Sequence, residues 1–413
     1  MKIGLLGLGT VGTGVFEIIQ KRKEYLQKLY GQSLDIVKIL VKDKSKKRQI
    51  EGVQDLLTTD PYDILKDPEI DLIIELIGGD QEAYEYMKYA LQNGKHVVTA
   101  NKAVVALHMK EFLALARKNK KAFLFEASVG GGIPLLKPLR QCSLLNDFYE
   151  IKGILNGTSN FILTKMAEED LDFHEALKQA QHLGYAEIDP TDDIKGADVA
   201  RKLAILASLA FHKDITLENI IYRGIRHIDK EDIYYLKDQG YSVKYFGKAI
   251  TDREKVSAVV EPVLFQKISQ FERVKDSFNM VSVKGDHLEE LRFYGEGAGK
   301  NASANAVVCD VIDILIESYQ RDFVVLEEQK PSTNGQLIEG KYFIRVNLKE
   351  SSHSCHIFNL AYQNGISIKE ICKLSSQRRI LITEKTNVEK MQSFIQNLKN
   401  LQTSFFAARI EEE

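Results

Sequence analysis

Through residues 1–134 short apolar runs alternate with amphipathic stretches, the pattern of a parallel sheet wound with helices. The strands expected are Lys2 to Leu6, Leu34 to Val41, Ile70 to Ile77, His96 to Thr99 and Ala122 to Glu126. The helices are Gly14 to Leu29, Gln81 to Asn93 and 108–119. Ile70-Asp-Leu-Ile-Ile-Glu-Leu-Ile77 is apolar almost throughout, as a strand buried on both faces must be. From residue 149 the rhythm changes. A strand over Tyr149 to Leu155 leads into a helix capped by Thr158 or Ser159, and helices follow at 173–183 and 197–212. Period-two runs at Val256 to Glu261 and Asn279 to Lys284 predict strands of a mixed sheet. The helix at 303–319 is expected to pack back on the first domain. A polar linker, Glu327 to Gly335, precedes strand 341–348, helix 354–363, strands 366–373 and 378–384, helix 387–400 and strand 403–410, a ferredoxin-like βαββαβ unit. The expected layout is α/β: a Rossmann-type domain over 1–134, an α+β catalytic and dimerisation domain over 135–320, a linker over 321–340 and the ferredoxin-like unit over 341–413.

Two stretches carry candidate chemistry in the first domain. Gly7-Leu-Gly9-Thr10-Val11-Gly12 stands between a strand and a helix, which is the dinucleotide-binding fingerprint. Its first Gly makes a tight turn, the second lets backbone approach a pyrophosphate, and the third allows close helix packing. After the second strand, where an NAD site usually places an acid for the ribose, stands Lys42-Asp-Lys-Ser-Lys-Lys-Arg48. These cations suit a 2′-phosphate, so NADP is favoured, while Asp43 keeps NAD possible. Gly78-Gly79 closes the third strand, and Lys102 follows the fourth at the carboxyl edge where such sheets bind ligands. Lys102 reads equally as an exposed loop lysine or as a group near the nicotinamide. Glu126 and Gly130-Gly-Gly132 read either as a structural turn or as ligation for a hard monovalent cation.

The stretch Tyr185 to Lys202 holds five carboxylates and then becomes an apolar helix. Asp198 and Lys202 stand one helical turn apart on one face. A lysine at the mouth of a buried helix, ringed by acids, is a candidate catalytic group; the plainer reading is a solvated salt bridge.

Composition narrows the field. With 413 residues, 44% hydrophobic and 28% charged, the chain has room for two or three domains and no bias toward disorder. A net charge of −2 offers no field for nucleic acid or an anionic membrane. Cys142, Cys309, Cys355 and Cys372 are scattered, which argues against zinc and disulfides and for a reducing, cytoplasmic setting. No leader and no membrane-spanning run is expected.

These motifs, with Ala100-Asn-Lys102, Glu126-Ala-Ser-Val-Gly130, Lys152-Gly-Ile-Leu-Asn-Gly-Thr-Ser-Asn160, Gly184-Tyr-Ala-Glu-Ile-Asp-Pro190 and Gly196-Ala-Asp-Val-Ala-Arg-Lys202, make the chain resemble a single-activity homoserine dehydrogenase over nearly its whole length. The resemblance implies reversible, NAD(P)-linked conversion of L-homoserine to L-aspartate 4-semialdehyde on the route to threonine and methionine. It implies Lys202 as the acid–base residue, Lys102 as its partner at the reacting oxygen, and Glu187 as the holder of the substrate ammonium with Asp193 and Asp198. It implies a sodium site from backbone groups around Glu126, Val129, Gly131 and Ile133, and a homo-oligomer, dimer or tetramer. Gly299 closes the loop Gly295-Glu-Gly-Ala-Gly299, where the family has Gly-Pro-Gly-Ala-Gly, and Asn301-Ala302 replaces a Pro-Thr pair.

The tail resembles an ACT domain, but Glu350-Ser-Ser-His-Ser354 lacks the Pro and Gly of the usual effector turn. Weak or absent threonine inhibition is therefore expected. Phe343, Ile368, Ile380, Leu381 and Ile382 form an apolar set suited to pairing with a second subunit. Competing readings are a dehydrogenase for another small amino acid such as aspartate, and a non-catalytic sensor of dinucleotide and amino acid.

Overall fold

The computed structural model describes residues 1–48, 50–321, 324–327, 331–348, 353–400 and 404–412. Two compact units result, one of 1–146, 208–214 and 295–329, the other of 147–207, 215–294 and 330–413.

The first unit begins β1 (Lys2–Leu6), α1 (Thr10–Tyr30), β2 (Asp35–Leu40), β3 (Leu57–Thr58), α2 (Tyr62–Leu65), β4 (Leu72–Glu75), α3 (Gln81–Gln92), β5 (His96–Thr99), α4 (Lys102–Lys118), β6 (Phe123–Leu124) and α5 (Leu136–Cys142). Its strands form a six-stranded sheet in the order β3-β2-β1-β4-β5-β6. Every pairing is parallel. The order reverses between β1 and β4, and doubly wound sheets bind ligands at that switch, beyond the strands' carboxyl ends. α1 buries Val15, Phe16 and Ile19 against this sheet, each worth about 1.5–3 kcal/mol. The helix Lys300–Leu315 packs on α1, and a Cβ on Gly14 would lie 2.8 Å from the Ala304 methyl.

Two local expectations change here. The helix expected at 108–119 starts at Lys102, because the Asn101 side chain caps it, accepting from the Val104 N–H. The strand expected through Glu126 stops at Leu124, and Glu126–Ser128 form a 3₁₀ turn.

The second unit contains β7 (Phe148–Ile154), α6 (Gly157–Glu168), α7 (Phe173–His182), α8 (Thr191–Lys195), α9 (Ala197–Phe211), β8 (Ile221–Tyr222), α10 (Lys230–Asp238), β9 (Tyr241–Thr251), β10 (Lys255–Gln266), β11 (Phe278–Gly285) and β12 (Leu291–Glu296). After α11 (Lys300–Leu315) come β13 (Ser332–Thr333), β14 (Glu339–Asn347), α12 (His353–Gln363), β15 (Ile368–Lys373), β16 (Arg378–Thr383), β17 (Thr386–Asn387), α13 (Val388–Asn400) and β18 (Ser404–Ile410). One 12-stranded mixed sheet follows the path β12-β11-β7-β9-β10-β18-β14-β16-β15. β14 to β18, with α12 and α13, make the βαββαβ unit, whose β18 pairs in parallel with β10. Tyr342, Ile344, Leu381, Phe394 and Ala407 lie in its helix-side core.

Three corrections follow. The cap of α6 is Asn156, whose side chain accepts from the Ser159 N–H at 2.7 Å, and not Thr158 or Ser159. The acidic stretch contains its own short helix, α8, ended by Gly196 at φ 101°. Of the apolar set assigned to a second subunit, Phe343, Ile380 and Leu381 are buried within this chain. Their strands already have partners, since β18 covers one edge of β14 and joins β10. The turn residues Glu350, Ser351 and Ser352 and the linker residues 328–330 lie outside the described residues, as does position 403.

Candidate active site

In the first unit the glycine fingerprint sits at the switch point. Gly7 has φ 103°, a conformation that excludes side chains, and a Cβ there would meet the Leu76 carbonyl oxygen at 2.7 Å. A Cβ on Gly12 would lie 2.2 Å from the Gly7 oxygen, so this glycine lets α1 close on the turn. Gly9 differs from both: a Cβ there would meet nothing within 4 Å. No contact within the described residues requires that position to be bare. Thr10 and Val11 open α1, whose N-terminus carries no side-chain cap, so its N–H groups and dipole face the place where a pyrophosphate fits. Gly78, past β4, and Gly299, before α11, are exposed with φ 68° and 132°.

β4 ends on Glu75, fully buried, whose carboxylate accepts from the Thr99 hydroxyl at 2.6 Å and the Ile77 N–H at 2.9 Å. Burial pushes its pKa up, against those hydrogen bonds. Asn101 donates to the Gly79 carbonyl at 2.7 Å, so the turns after β4 and β5 are tied together and Lys102 stands at the first helical position. Lys42 is exposed beyond β2. Asp43 spends one carboxylate oxygen on the Ser45 N–H and hydroxyl at 2.7 and 2.6 Å, which lowers its pKa, and Arg48 donates to the Asp43 and Lys46 carbonyls.

Glu126 is buried, and its carboxylate accepts the N–H groups of Leu135 and Leu136 at 2.6 and 2.7 Å and of Lys137 at 2.8 Å. Those bonds cap α5 and use the oxygens that the sequence offered to a cation. Asp310 accepts the Glu126 N–H at 2.9 Å, and burial together with the Glu126 charge raises its pKa well above the carboxylate range. Val129, Gly131 and Ile133 are buried beside it, and a Cβ on Gly131 would lie 2.6 Å from the Gly297 carbonyl. Among the described residues no group of three or more His, Cys, Asp or Glu is placed to hold a metal ion.

In the second unit Asn156 gathers the acids. Its Nδ2 donates to Asp193 at 2.7 Å and to Asp198 at 2.8 Å. Asp198 is buried and pairs with Lys202 at 2.8 Å, and Lys202 also donates to the Leu155 carbonyl at 2.9 Å. A single amide thus holds two carboxylates side by side and one of them against an ammonium. Glu187 is exposed on the loop between α7 and α8. Thr158 anchors that loop by donating to the Tyr185 carbonyl at 2.6 Å. Asn156 was legible only as part of the Asn156-Gly-Thr-Ser-Asn160 motif. Its clamp between residues 37 and 42 positions away needs the fold.

A glycine turn at the switch point of a doubly wound sheet, followed by an uncapped helix, defines a dinucleotide-binding protein, and the second unit holds a buried acid–lysine cluster. The comparisons with known proteins give the family. Profiles described as homoserine dehydrogenase and as homoserine dehydrogenase, NAD binding domain, match residues 134–312 and 7–126. Homoserine dehydrogenase of Bacillus subtilis is 38% identical, with 97% of this chain and 95% of that one covered, and that of Helicobacter pylori is 37% identical, with 98% and 96% covered. The crystal structure of a homoserine dehydrogenase from Thiobacillus denitrificans superposes with a TM-score of 0.87 at 34% identity, covering 100% of this chain and 98% of that one. A hyperthermophilic archaeal homoserine dehydrogenase in complex with NADPH gives 0.65 at 25% identity, covering 76% and 98%. The chain belongs to the homoserine dehydrogenase family, oxidoreductases acting on a CH–OH group. Among the described residues no helix is long and apolar enough to cross a membrane.

Proposed function

We propose that the Asn156–Asp193–Asp198–Lys202 cluster is the substrate and proton-transfer site of this enzyme, and that its preferred cofactor is NADP. When bound, the nicotinamide supplies hydride to the aldehyde carbon of L-aspartate 4-semialdehyde, or takes it from L-homoserine. The residues of the chain do the rest. Hydride addition leaves negative charge on oxygen, which needs a proton and a nearby cation. Lys202 gives that proton in reduction and recovers it from the hydroxyl in oxidation. An ammonium has three tetrahedral N–H bonds. Asp198 and the Leu155 carbonyl fix two of them, so the direction of the third is set. Lys102 serves as the second cation at the developing charge. Asp193 and Asp198 face the ammonium of the amino acid, and Glu187, exposed on its anchored loop, receives it.

The cluster itself carries this reading, and Lys202→Met tests it. The kcat for homoserine oxidation should fall by about 10² to 10⁴ with NADP affinity unchanged. A variant keeping a third or more of parental kcat removes Lys202 from the proton transfer.

The preference for NADP rests on Lys42 and on Asp43 being engaged by Ser45, and it agrees with the NADPH in the archaeal relative. A monovalent cation, sodium, is proposed at the carbonyls of Glu126, Val129, Gly131 and Ile133. The residues fit carbonyl ligation and not carboxylate ligation, because the Glu126 oxygens cap α5. The tail's strand order, β18-β14-β16-β15, supports an ACT-type domain. A homo-oligomer, dimer or tetramer, is supported by the open edges β12 and β15, which expose Tyr294 and Ile371. The domains are proposed as a dinucleotide domain with α11, a catalytic domain and the tail. Threonine and methionine biosynthesis in a reducing cytoplasm is the proposed setting, with Cys142, Cys309 and Cys372 free.

A further inference from the structure

Arg223 lies on the segment between α9 and β9, far in sequence from the acids of the cluster. Its N–H donates to the Val260 carbonyl on β10 at 3.0 Å, and its guanidinium is paired with Glu261 on the same strand. Glu261 is fully buried and also receives Arg409 Nε of β18 at 2.7 Å and the Tyr342 hydroxyl of β14 at 3.3 Å. Arg409 is paired in turn with Glu411, which takes Lys248 at 2.9 Å. One carboxylate is therefore shared between the βαββαβ unit and the segment carrying Arg223. A buried charge that loses its partner costs several kcal/mol, so none of these groups shifts alone.

The other side of Arg223 reaches the acidic stretch. Its carbonyl accepts the Tyr245 hydroxyl at 2.9 Å. That hydroxyl occupies the space of a side chain at Gly196, where a Cβ would lie 1.9 Å from it. Gly196 joins α8 to α9 and so stands between Asp193 and Asp198. A Cβ on Gly224 would lie 2.3 Å from the Ile194 carbonyl, and the Ile225 N–H donates to that carbonyl at 3.0 Å. Residues 223–225 thus press on the end of α8, with no space for either backbone to move toward the other. Burial raises the Tyr245 pKa; Arg223 pulls it down and Asp198 pushes it up, so the hydroxyl remains a donor.

We propose that Arg223 and Tyr245 are positioning residues for the Asp193–Asp198 segment, held in register by Glu261, and that Arg409 of the C-terminal unit shares in setting that register. The proposal rests on the reading that this segment binds substrate. Tyr245→Phe removes one hydrogen bond and keeps the ring, so the variant should fold. Its homoserine KM should rise about three- to tenfold, the effect of one neutral hydrogen bond, with the KM for NADP unchanged. Arg409→Lys replaces two separate donor nitrogens, Nε on Glu261 and Nη1 on Glu411, by one, and its homoserine KM should rise in the same selective way. Arg223→Met should be impaired, with Arg223→Lys recovering part of the loss. The same kinetics are run on Lys202→Met. If that variant stays active, the site reading fails. If it is inactive while Tyr245→Phe and Arg409→Lys, folded by circular dichroism, both keep the parental homoserine KM, the positioning proposal alone is overturned.

Discussion

Asn156→Ser isolates the amide that gathers the cluster. Serine is as good a helix cap as asparagine, so the hydrogen bond from the Ser159 N–H survives in kind. What disappears is the Nδ2 group that donates to Asp193 at 2.7 Å and Asp198 at 2.8 Å. Hydrogen bonds to charged groups contribute about 1.5–3 kcal/mol each. The Asp198 bond counts near the full amount, since Asn156 and Asp198 are 4% and 3% exposed. The Asp193 bond counts for less, because that residue is half-buried and water replaces part of it. The sum is about 3 kcal/mol, and Asn156→Ala should add about 1 kcal/mol more for the lost cap. Urea denaturation followed by circular dichroism measures both, provided the slope with denaturant is unchanged. The carboxylates also lose their common spacing, so homoserine KM should rise at least about tenfold with the KM for NADP unaffected. A serine variant within about 0.5 kcal/mol of the parent, with an unaltered KM, would falsify the view that Asn156 organises the site.

Four further perturbations test separate parts of the molecule. Neutralising Lys42 and Arg48 should raise KM for NADP and leave NAD untouched; equal effects on both would reduce the loop to a solvated charge run. Gly9→Ala should leave the melting temperature unchanged yet weaken cofactor affinity in a fluorescence titration, since only a ligand needs that space. Gly12→Ala should instead lower stability by about 1–3 kcal/mol, its Cβ lying 2.2 Å from the Gly7 oxygen, and comparable melting temperatures for the two variants would contradict this assignment. The last concerns pH. Burial and then the Lys121 charge hold the His96 pKa down to about 4, from 6.5, and its Nδ1 accepts the Ala122 N–H at 3.0 Å. The unfolded chain takes up this proton first, so its contribution is complete above pH 6.5 and is lost as pH falls toward 4, about 2 kcal/mol by pH 5. His96→Asn should flatten that part of the stability profile, and an unchanged slope would show that other groups set it.

The sequence by itself determined whatever depends on neighbours along the chain. The nearly continuous apolar run Ile70 to Ile77, closed by Gly78-Gly79, reads as a strand covered on both faces, and Gly7, Gly9 and Gly12, bracketed by strand and helix, carry the dinucleotide fingerprint in two successive spacings. Asp198 and Lys202 were legible as a pair for the same reason, since helical periodicity alone puts them together. Tertiary structure decided the contacts that no spacing encodes. Asn156 was legible only as a member of the Asn156-Gly-Thr-Ser-Asn160 motif, and only the packing of β7 and α6 beside α8 and α9 makes it the donor to two aspartates. Glu126, a carboxylate beside glycines, read either as part of a structural turn or as a cation ligand. The fold instead brings the N-terminus of α5 onto that carboxylate, and three N–H groups satisfy it. The apolar tail residues read as a set suited to pairing with a second subunit, because nothing in their order shows that β18 continues the sheet through β10. Hydrophobic pattern says which side chains leave water; which partner they meet is settled when distant strands pair, because pairing energy depends on register and burial in three dimensions.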